Sequence, residues 1–328
     1  MKEPISSIRR KRRFFSKCAS MLVIAMSFGY AMAQDDDKVI RVDTKLAEFE
    51  VLVEDRDGKP VHGLSQSDFR IFENGRERKI DFFQPVLAQG SARPLVVVFA
   101  VDVSGSMTAT EIDKLRSAIN GFMDRFGNYE AYFAVVSFAM EVKRTQSFTN
   151  QPEKVRRSLS SLDREQIGRS THAFDAVDEA IRMIDRNGPK NIRGRSPKNA
   201  VIVITDGFPV GDVVSPGTVI DRANKTGTSI YSIILPSFSP ARGDTRPLMT
   251  LFEASGIVSR TGGNSLYATD NNFEPLFRAL ASEITASYAI AFYPDEQSAN
   301  INAPRNVRIE STKGYRIKQN RMSYELAK

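Results

Sequence analysis

The chain has 328 residues, with Lys and Arg outnumbering Asp and Glu by 46 to 39, one Cys, two His and no Trp. A single cysteine excludes an intramolecular disulfide framework and any thiolate zinc cluster. The basic balance sits mostly at one end: the first 33 residues hold seven basic residues and one acid, so six of the seven net positive charges leave with that segment. The remainder is near neutral, which removes the electrostatic argument for a nucleic-acid partner.

That first segment reads as an export signal, with a basic run from Arg9 to Arg13, a mainly apolar stretch over 21–30 and a small-residue site at Ala31-Met32-Ala33 that places cleavage after Ala33. Arg12-Arg13-Phe14-Phe15-Ser16-Lys17 also fits a twin-arginine pattern, so both export routes stay open. Cleavage removes Cys18, the lone cysteine, and leaves about 295 residues, enough to bury roughly three quarters of the unfolded surface without covalent staples. No other stretch approaches the about 20 apolar residues of a spanning helix, so the expectation is a periplasmic or extracellular protein without a transmembrane segment.

Residues 39–54 carry Leu46, Phe49, Val51 and Val53 among charged residues, the alternation of half-buried strands. Asp57-Gly58 and Asn74-Gly75 are hairpin-type turns, and Phe69, Ile71, Ile80, Phe82 and Phe83 flank the second. Residues 34–93 are therefore expected to form a small β module and a polar linker. From Leu95 the pattern changes to alternating strands and helices. Residues 95–101 are continuously apolar, the signature of a buried parallel strand. Ile112, Leu115, Ile119, Phe122 and Phe126 stripe one helix after the capping-type Thr108 and Thr110.

A strand pair over 132–138 and 142–148 follows, then a helix face of Val155, Leu159 and Leu162. A further helix bears Phe174, Val177, Ile181 and Ile184 and closes at Asn187-Gly188-Pro189. Residues 201–204 and 230–235 read as buried strands, and Leu276, Phe277, Leu280 and Ile284 mark a last helix. The expected fold over 94–285 is α/β, a doubly wound, Rossmann-like, mostly parallel sheet with an antiparallel edge strand. Residues 287–293, 306–310 and 315–317 read as further strands. Each flank alone offers short strands with exposed edges, so 286–328 are expected to complete the N-terminal module as one β-sandwich-like domain.

The first buried strand ends in Asp102-Val103-Ser104-Gly105-Ser106, where an acid and two hydroxyls at alternate positions enter a tight turn before a helix. Three hard oxygen donors there suit a hard divalent cation. The pentad resembles the D-x-S-x-S opening of the metal-ion-dependent adhesion site of von Willebrand factor A domains. Gly168-Arg169-Ser170-Thr171, followed by Asp175-Ala176, resembles that family's threonine loop, and the strand ending in Asp206-Gly207 its final loop. Val51-x-Val53, Asp57-Gly58-x-Pro60-Val61-x-Gly63-Leu64, Asp68-Phe69, Glu73-Asn74-Gly75 and Tyr288-x-Ile290-x-Phe292-Tyr293-Pro294 resemble an exported acidobacterial group of such proteins.

The resemblance implies that Asp102, Ser104, Ser106 and Thr171 face Mg²⁺ (or Mn²⁺ or Ca²⁺), with Asp206 acting mainly through water. It also implies that the cation's open position takes an Asp or Glu carboxylate from a protein or surface ligand. The plainer reading of the pentad alone is a helix cap.

Two other functional classes compete with such an adhesion module. One is a structural envelope component in which metal only stiffens loops. The other is a phosphohydrolase, because an Asp after a buried strand and a later Asp-Gly are superficially similar to haloacid dehalogenases. That chemistry needs a second acid at position 104, which is Ser. No nucleophile elbow, P-loop or zinc spacing is present either, so the expectation is not an enzyme. His172 reads as a loop residue, His62 lies in the β module, and Arg242-Gly243-Asp244 is a chance-level tripeptide.

Overall fold

The computed structural model describes residues 46–85, 93–105, 108–162, 171–235, 249–268, 272–294 and 304–324. The leader, residues 39–45, Ser106 and Arg242-Gly243-Asp244 lie outside the described residues. None of the described helices is long and apolar enough to cross a membrane. In chain order the strands and helices are β1 (Ala47–Glu54), β2 (Phe69–Glu73), β3 (Arg76–Arg78), β4 (Phe82–Pro85), β5 (Leu95–Asp102), α1 (Ala109–Arg125), β6 (Ala131–Phe138), β7 (Val142–Thr149), α2 (Pro152–Ser160) and α3 (Ala173–Asn187). They continue with β8 (Lys198–Thr205), α4 (Pro216–Thr226), β9 (Thr228–Ile234), α5 (Leu251–Ala254), β10 (Ser265–Tyr267), α6 (Glu274–Thr285), β11 (Ser287–Phe292), β12 (Arg305–Ser311), β13 (Arg316–Gln319) and β14 (Ser323–Tyr324).

The central sheet has the order β10-β9-β8-β5-β6-β7. All its pairings are parallel except β7, which lies antiparallel on β6 at the edge. The unbroken apolar run of β5 follows from burial on both faces. Leu95, Val97, Phe99 and Val101 join a core with α1, α2 and α6, whereas Val96, Val98 and Ala100 join one with α3 and α4. The chain leaves β5 for β6 through α1 on one face and returns to β8 through α3 on the other. The carboxyl ends of β5 and β8 therefore flank a topological switch point, where folds of this kind place ligands.

Local signals explain several boundaries. Thr108 caps α1 in a reciprocal pair with Glu111: its Oγ1 accepts the Glu111 N–H at 3.2 Å, and its own N–H donates to Glu111 Oε2 at 2.6 Å. The β2–β3 turn has positive φ at both Asn74 and Gly75, as a two-residue primed hairpin requires. Helix α4 carries its own punctuation, Ser215 as N-cap, Pro216 at the first turn and left-handed Gly227 at the end. Its buried stripe is only Val219, Ile220 and Ala223, too short for periodicity to declare.

The flanking strands form two further sheets, β13-β1-β11-β4 and β14-β12-β2-β3. They enclose one core that holds Phe49, Val51, Phe69 and Ile71 with Tyr288, Ile290, Phe292, Val307 and Ile309. Phe49 stands opposite Ile290 in the β1–β11 register and stacks on Phe292, with Tyr324 edge-on to both rings. The Tyr288 hydroxyl donates to Val61 O at 2.9 Å and accepts from Leu64 N at 3.2 Å, tying the loop after β1 to β11.

Strand β1 departs from the half-buried expectation. It is buried on both faces apart from partial exposure at Glu48, while Leu46 outside it is exposed. The reason is an ionic layer at the amino ends of β5 and β8. Lys198, fully buried, contacts Glu50 and donates to Ser229 Oγ at 2.9 Å. Arg93 reaches Glu48 at 2.7 Å and Glu50 at 3.6 Å, and donates to the carbonyls of Ser196 and Pro197. Burial pushes the Lys198 ammonium down to about 7, with the Glu283 carboxylate opposing it.

Candidate metal centre

Asp102 is the last residue of β5, and its side chain is held from two directions. Oδ1 accepts the Ser104 N–H at 2.9 Å, closing the turn that Gly105 continues, and Oδ2 accepts the Thr205 hydroxyl at 2.8 Å. The second contact exists because β5 and β8 are parallel neighbours with Val101 opposite Ile204, so the next residue of each strand meets the other. Asp102 is 1 % exposed. Burial pushes its carboxyl up to about 6, the Ser104 and Thr205 hydrogen bonds oppose the rise, and the Asp206 carboxylate adds to it. Among the described residues no cationic group offsets this burial.

Thr205 had no place in the sequence reading, yet it joins two parts of the site. Its Oγ1 also accepts the Gly207 N–H at 3.1 Å, and Asp206 Oδ1 accepts the Phe208 N–H at 3.1 Å, so the Asp-Gly turn is braced on both sides. The available signal was a hydroxyl ending an otherwise apolar strand. Gly207 is required twice over: its φ is +83°, and a Cβ there would lie 2.5 Å from Thr250. Gly207→Ala is expected to destabilise the chain by about 1–3 kcal/mol, measured by denaturant unfolding, because Thr250 and the turn must move apart.

Thr171 is brought over the same strand end by two anchors. Its backbone exchanges both hydrogen bonds with Val210 at 3.0 Å, beyond β8, and the next residue, His172, donates its N–H to Ala139 O at 3.0 Å, beyond β6. Strand β5 lies between β8 and β6, so the Thr171-His172 segment straddles the carboxyl end of β5. Asp175 fixes this arrangement. Its carboxylate accepts the N–H groups of Val213 and Val214 and contacts His172 Nδ1 at 3.0 Å, while its own N–H donates to Asp212 Oδ1. Burial works against the Asp175 carboxylate, but the Val214, Val213 and His172 contacts outweigh it and hold its pKa below the usual value. His172 is thus engaged with Asp175, as a loop residue.

Asp102 at the end of β5 and Ser104, Thr171 and Asp206 in loops accordingly lie at one edge of the sheet, with Ser104 and Thr171 each 8 % exposed. Among the described residues no three His, Cys, Asp or Glu side chains are grouped for a metal ion. The donors here are two carboxylates and neutral hydroxyls, a set suited to a hard cation that keeps part of its water. A buried carboxylate with no cationic neighbour among the described residues fits such an ion.

A doubly wound α/β domain with acidic and hydroxyl side chains at its switch point is the class these observations define. Residues 97–276 match the von Willebrand factor type A domain, and the chain belongs to that family. It is 26 % identical over 159 residues to inter-alpha-trypsin inhibitor heavy chain H4 of Sus scrofa, covering 48 % of this chain and 17 % of that protein. To integrin alpha-M of Mus musculus it is 23 % identical over 184 residues, covering 55 % and 15 %. The chain thus spans less than a fifth of the length of these curated relatives.

Among solved structures, it is similar to an aerotolerance-related membrane protein from Bacteroides fragilis at TM-score 0.45 and 20 % identity, covering 58 % of this chain and 98 % of that one. Proximal thread matrix protein 1 from the mussel byssus, with a zinc-occupied MIDAS motif, compares at TM-score 0.46 and 15 % identity, covering 61 % and 47 %.

Proposed function

We propose that this chain is an exported binding module, periplasmic or extracellular, that takes up a divalent cation and docks acidic groups of a protein or surface ligand through it. Asp102, Ser104, Ser106 and Thr171 would hold the ion, with Asp206 acting mainly through water. Mg²⁺ suits few protein ligands and several retained waters, and Mn²⁺ or Ca²⁺ are the other candidates. When bound, the cation supplies a Lewis-acidic position for a carboxylate. The protein's own part is to restrain the donors: Thr205 and the Ser104 N–H orient the Asp102 carboxylate, and the Val210 and Ala139 anchors fix the backbone of Thr171 and His172. No catalytic step is required of these residues.

The observation that supports this reading most is Asp102 itself, a carboxylate buried at the sheet's carboxyl edge with no cationic group beside it among the described residues. The test has two stages. Mg²⁺ is expected to raise the melting temperature of the wild-type chain and to leave Asp102→Ala unchanged. In a pull-down from envelope and secretome fractions of the source organism, partners should be retained by wild type with Mg²⁺ and lost with chelator or Asp102→Ala. Equal retention by both would favour a structural envelope component with a purely stabilising metal.

A further inference from the structure

At the amino ends of β5 and β8, the end of the sheet away from the candidate metal centre, a cavity of about 190 Å³ is lined by β1, the residues after β13 and the last turn of α4. Apart from Pro197 and Gly227, every described residue lining it carries a polar side chain. Its volume matches that of about six waters at ~30 Å³ each. Four of the buried polar atoms without a hydrogen-bond partner among the described residues belong to this lining: Arg93 Nη1, Arg321 Nε, Asn199 Oδ1 and Asn224 Oδ1. Buried polar groups left unpaired are costly, so their concentration at one cavity calls for an occupant that pairs with them.

The donors are two guanidiniums held in place. Arg93 is fixed by the carbonyls of Ser196 and Pro197, and Arg321 lies over the Phe49 ring at 4.8 Å while its Nη2 donates to Glu48 O. Burial holds both below the usual arginine range, and the Glu48 carboxylate opposes that burial for each. They therefore share Glu48, while Glu50, 3.6 Å from Arg93, also serves Lys198. Lys225, exposed in the lining, adds a further cation. One more carboxylate fits this shortage of negative charge. The acceptors come from other elements. Asn199 is the second residue of β8, and Asn224 stands in the last turn of α4, where the C-terminal carbonyls form the negative end of the helix dipole. Amide oxygens beside a helix C-terminus suit an ammonium group.

We propose that this cavity binds a small zwitterion, an α-amino acid with a short polar side chain, its carboxylate paired with Arg93 and Arg321 and its ammonium with Asn199, Asn224 and the end of α4. The polar lining offers little surface to a large aliphatic or aromatic side chain, and a simple anion would leave the two amide oxygens unpaired. Strand β1 and the residues after β13 belong to the flanking β domain, whereas β8 and α4 belong to the central one. An occupant would therefore tie the two together and stabilise the chain by mass action.

The experiment uses the full chain with chelator present, which keeps any metal-held carboxylate out of the result, and titrates L-serine, glycine, acetate and methylammonium by calorimetry and thermal melts. L-serine is expected to bind and to raise the melting temperature, with acetate and methylammonium roughly tenfold weaker or worse. Arg321→Met, which keeps an unbranched stem on Phe49, and Asn224→Ala, at a partly exposed helix position, should each weaken L-serine by roughly tenfold or more. Asn224→Ala decides alone where Arg321→Met does not fold. No binding of L-serine or glycine overturns the proposal and assigns the cavity to ordered water. Acetate binding as tightly as L-serine overturns it in favour of a plain anion site. Affinity unchanged in the folded variants also overturns it, because the ligand then sits elsewhere.

Discussion

Replacing Glu50 by alanine is expected to lower the stability of the chain by about 3–5 kcal/mol, the largest single effect outside the metal centre. Glu50 is 7 % exposed and faces both Lys198, fully buried, and Arg93, 4 % exposed. Removing it leaves Lys198 without its carboxylate and Arg93 with Glu48 alone in the buried layer between β1 and the amino ends of β5 and β8. Burial already drives the Lys198 ammonium down to about 7, so Lys198 would respond by losing its proton as well. A paired replacement, Glu50→Leu with Lys198→Met, is expected to recover most of the loss, because an apolar pair of similar volume carries no desolvation penalty. Denaturant unfolding of the three chains checks this. A loss below about 1 kcal/mol for Glu50→Ala would mean that water reaches the layer.

The second large effect concerns pH and metal together. The Asp102 carboxyl has an ordinary value of 3.8 and is pushed up to about 6 in the folded chain. Between those values the folded state binds the extra proton. The metal-free chain therefore loses stability as pH rises from about 4 to above 6, by about 3 kcal/mol from this group. A divalent cation needs the ionised carboxylate, so the stabilisation by Mg²⁺ is expected to be several-fold larger at pH 7.5 than at pH 5. Asp102→Asn should remove both the Mg²⁺ increment and most of the metal-free decline, because the amide carries no charge at either pH. Thermal melts of both chains at the two pH values, with Mg²⁺ and with chelator, decide the matter. A wild-type Mg²⁺ increment equal at pH 5 and pH 7.5 would count against Asp102 as the titrating ligand.

Much of the central fold was legible because it is written in local periodicity. The apolar run ending at Asp102 became β5, and the stripe from Ile112 to Phe126 became the buried face of α1 and its cap. Helix α5, a single turn, and β10, three residues, are too short to show a period, and α4 buries only Val219, Ile220 and Ala223. The two-sided burial of β1 was not legible from residues 47–54. Its charged Glu50 reads as a solvated position unless Lys198 and Arg93, distant in sequence, are known to face it.

At the candidate site the same division appears. The residue types of the donor set, and their positions after buried strands or before a helix, are properties of short segments, and the chain alone determined them. What only the tertiary structure decided is how they are held. The one-residue register that sets Val101 against Ile204 places the Thr205 hydroxyl on Asp102. The strand order that puts β5 between β8 and β6 makes the Val210 and Ala139 anchors carry Thr171 across its end. Register and strand order arise from packing two buried faces at once, a condition that no local stretch of sequence contains.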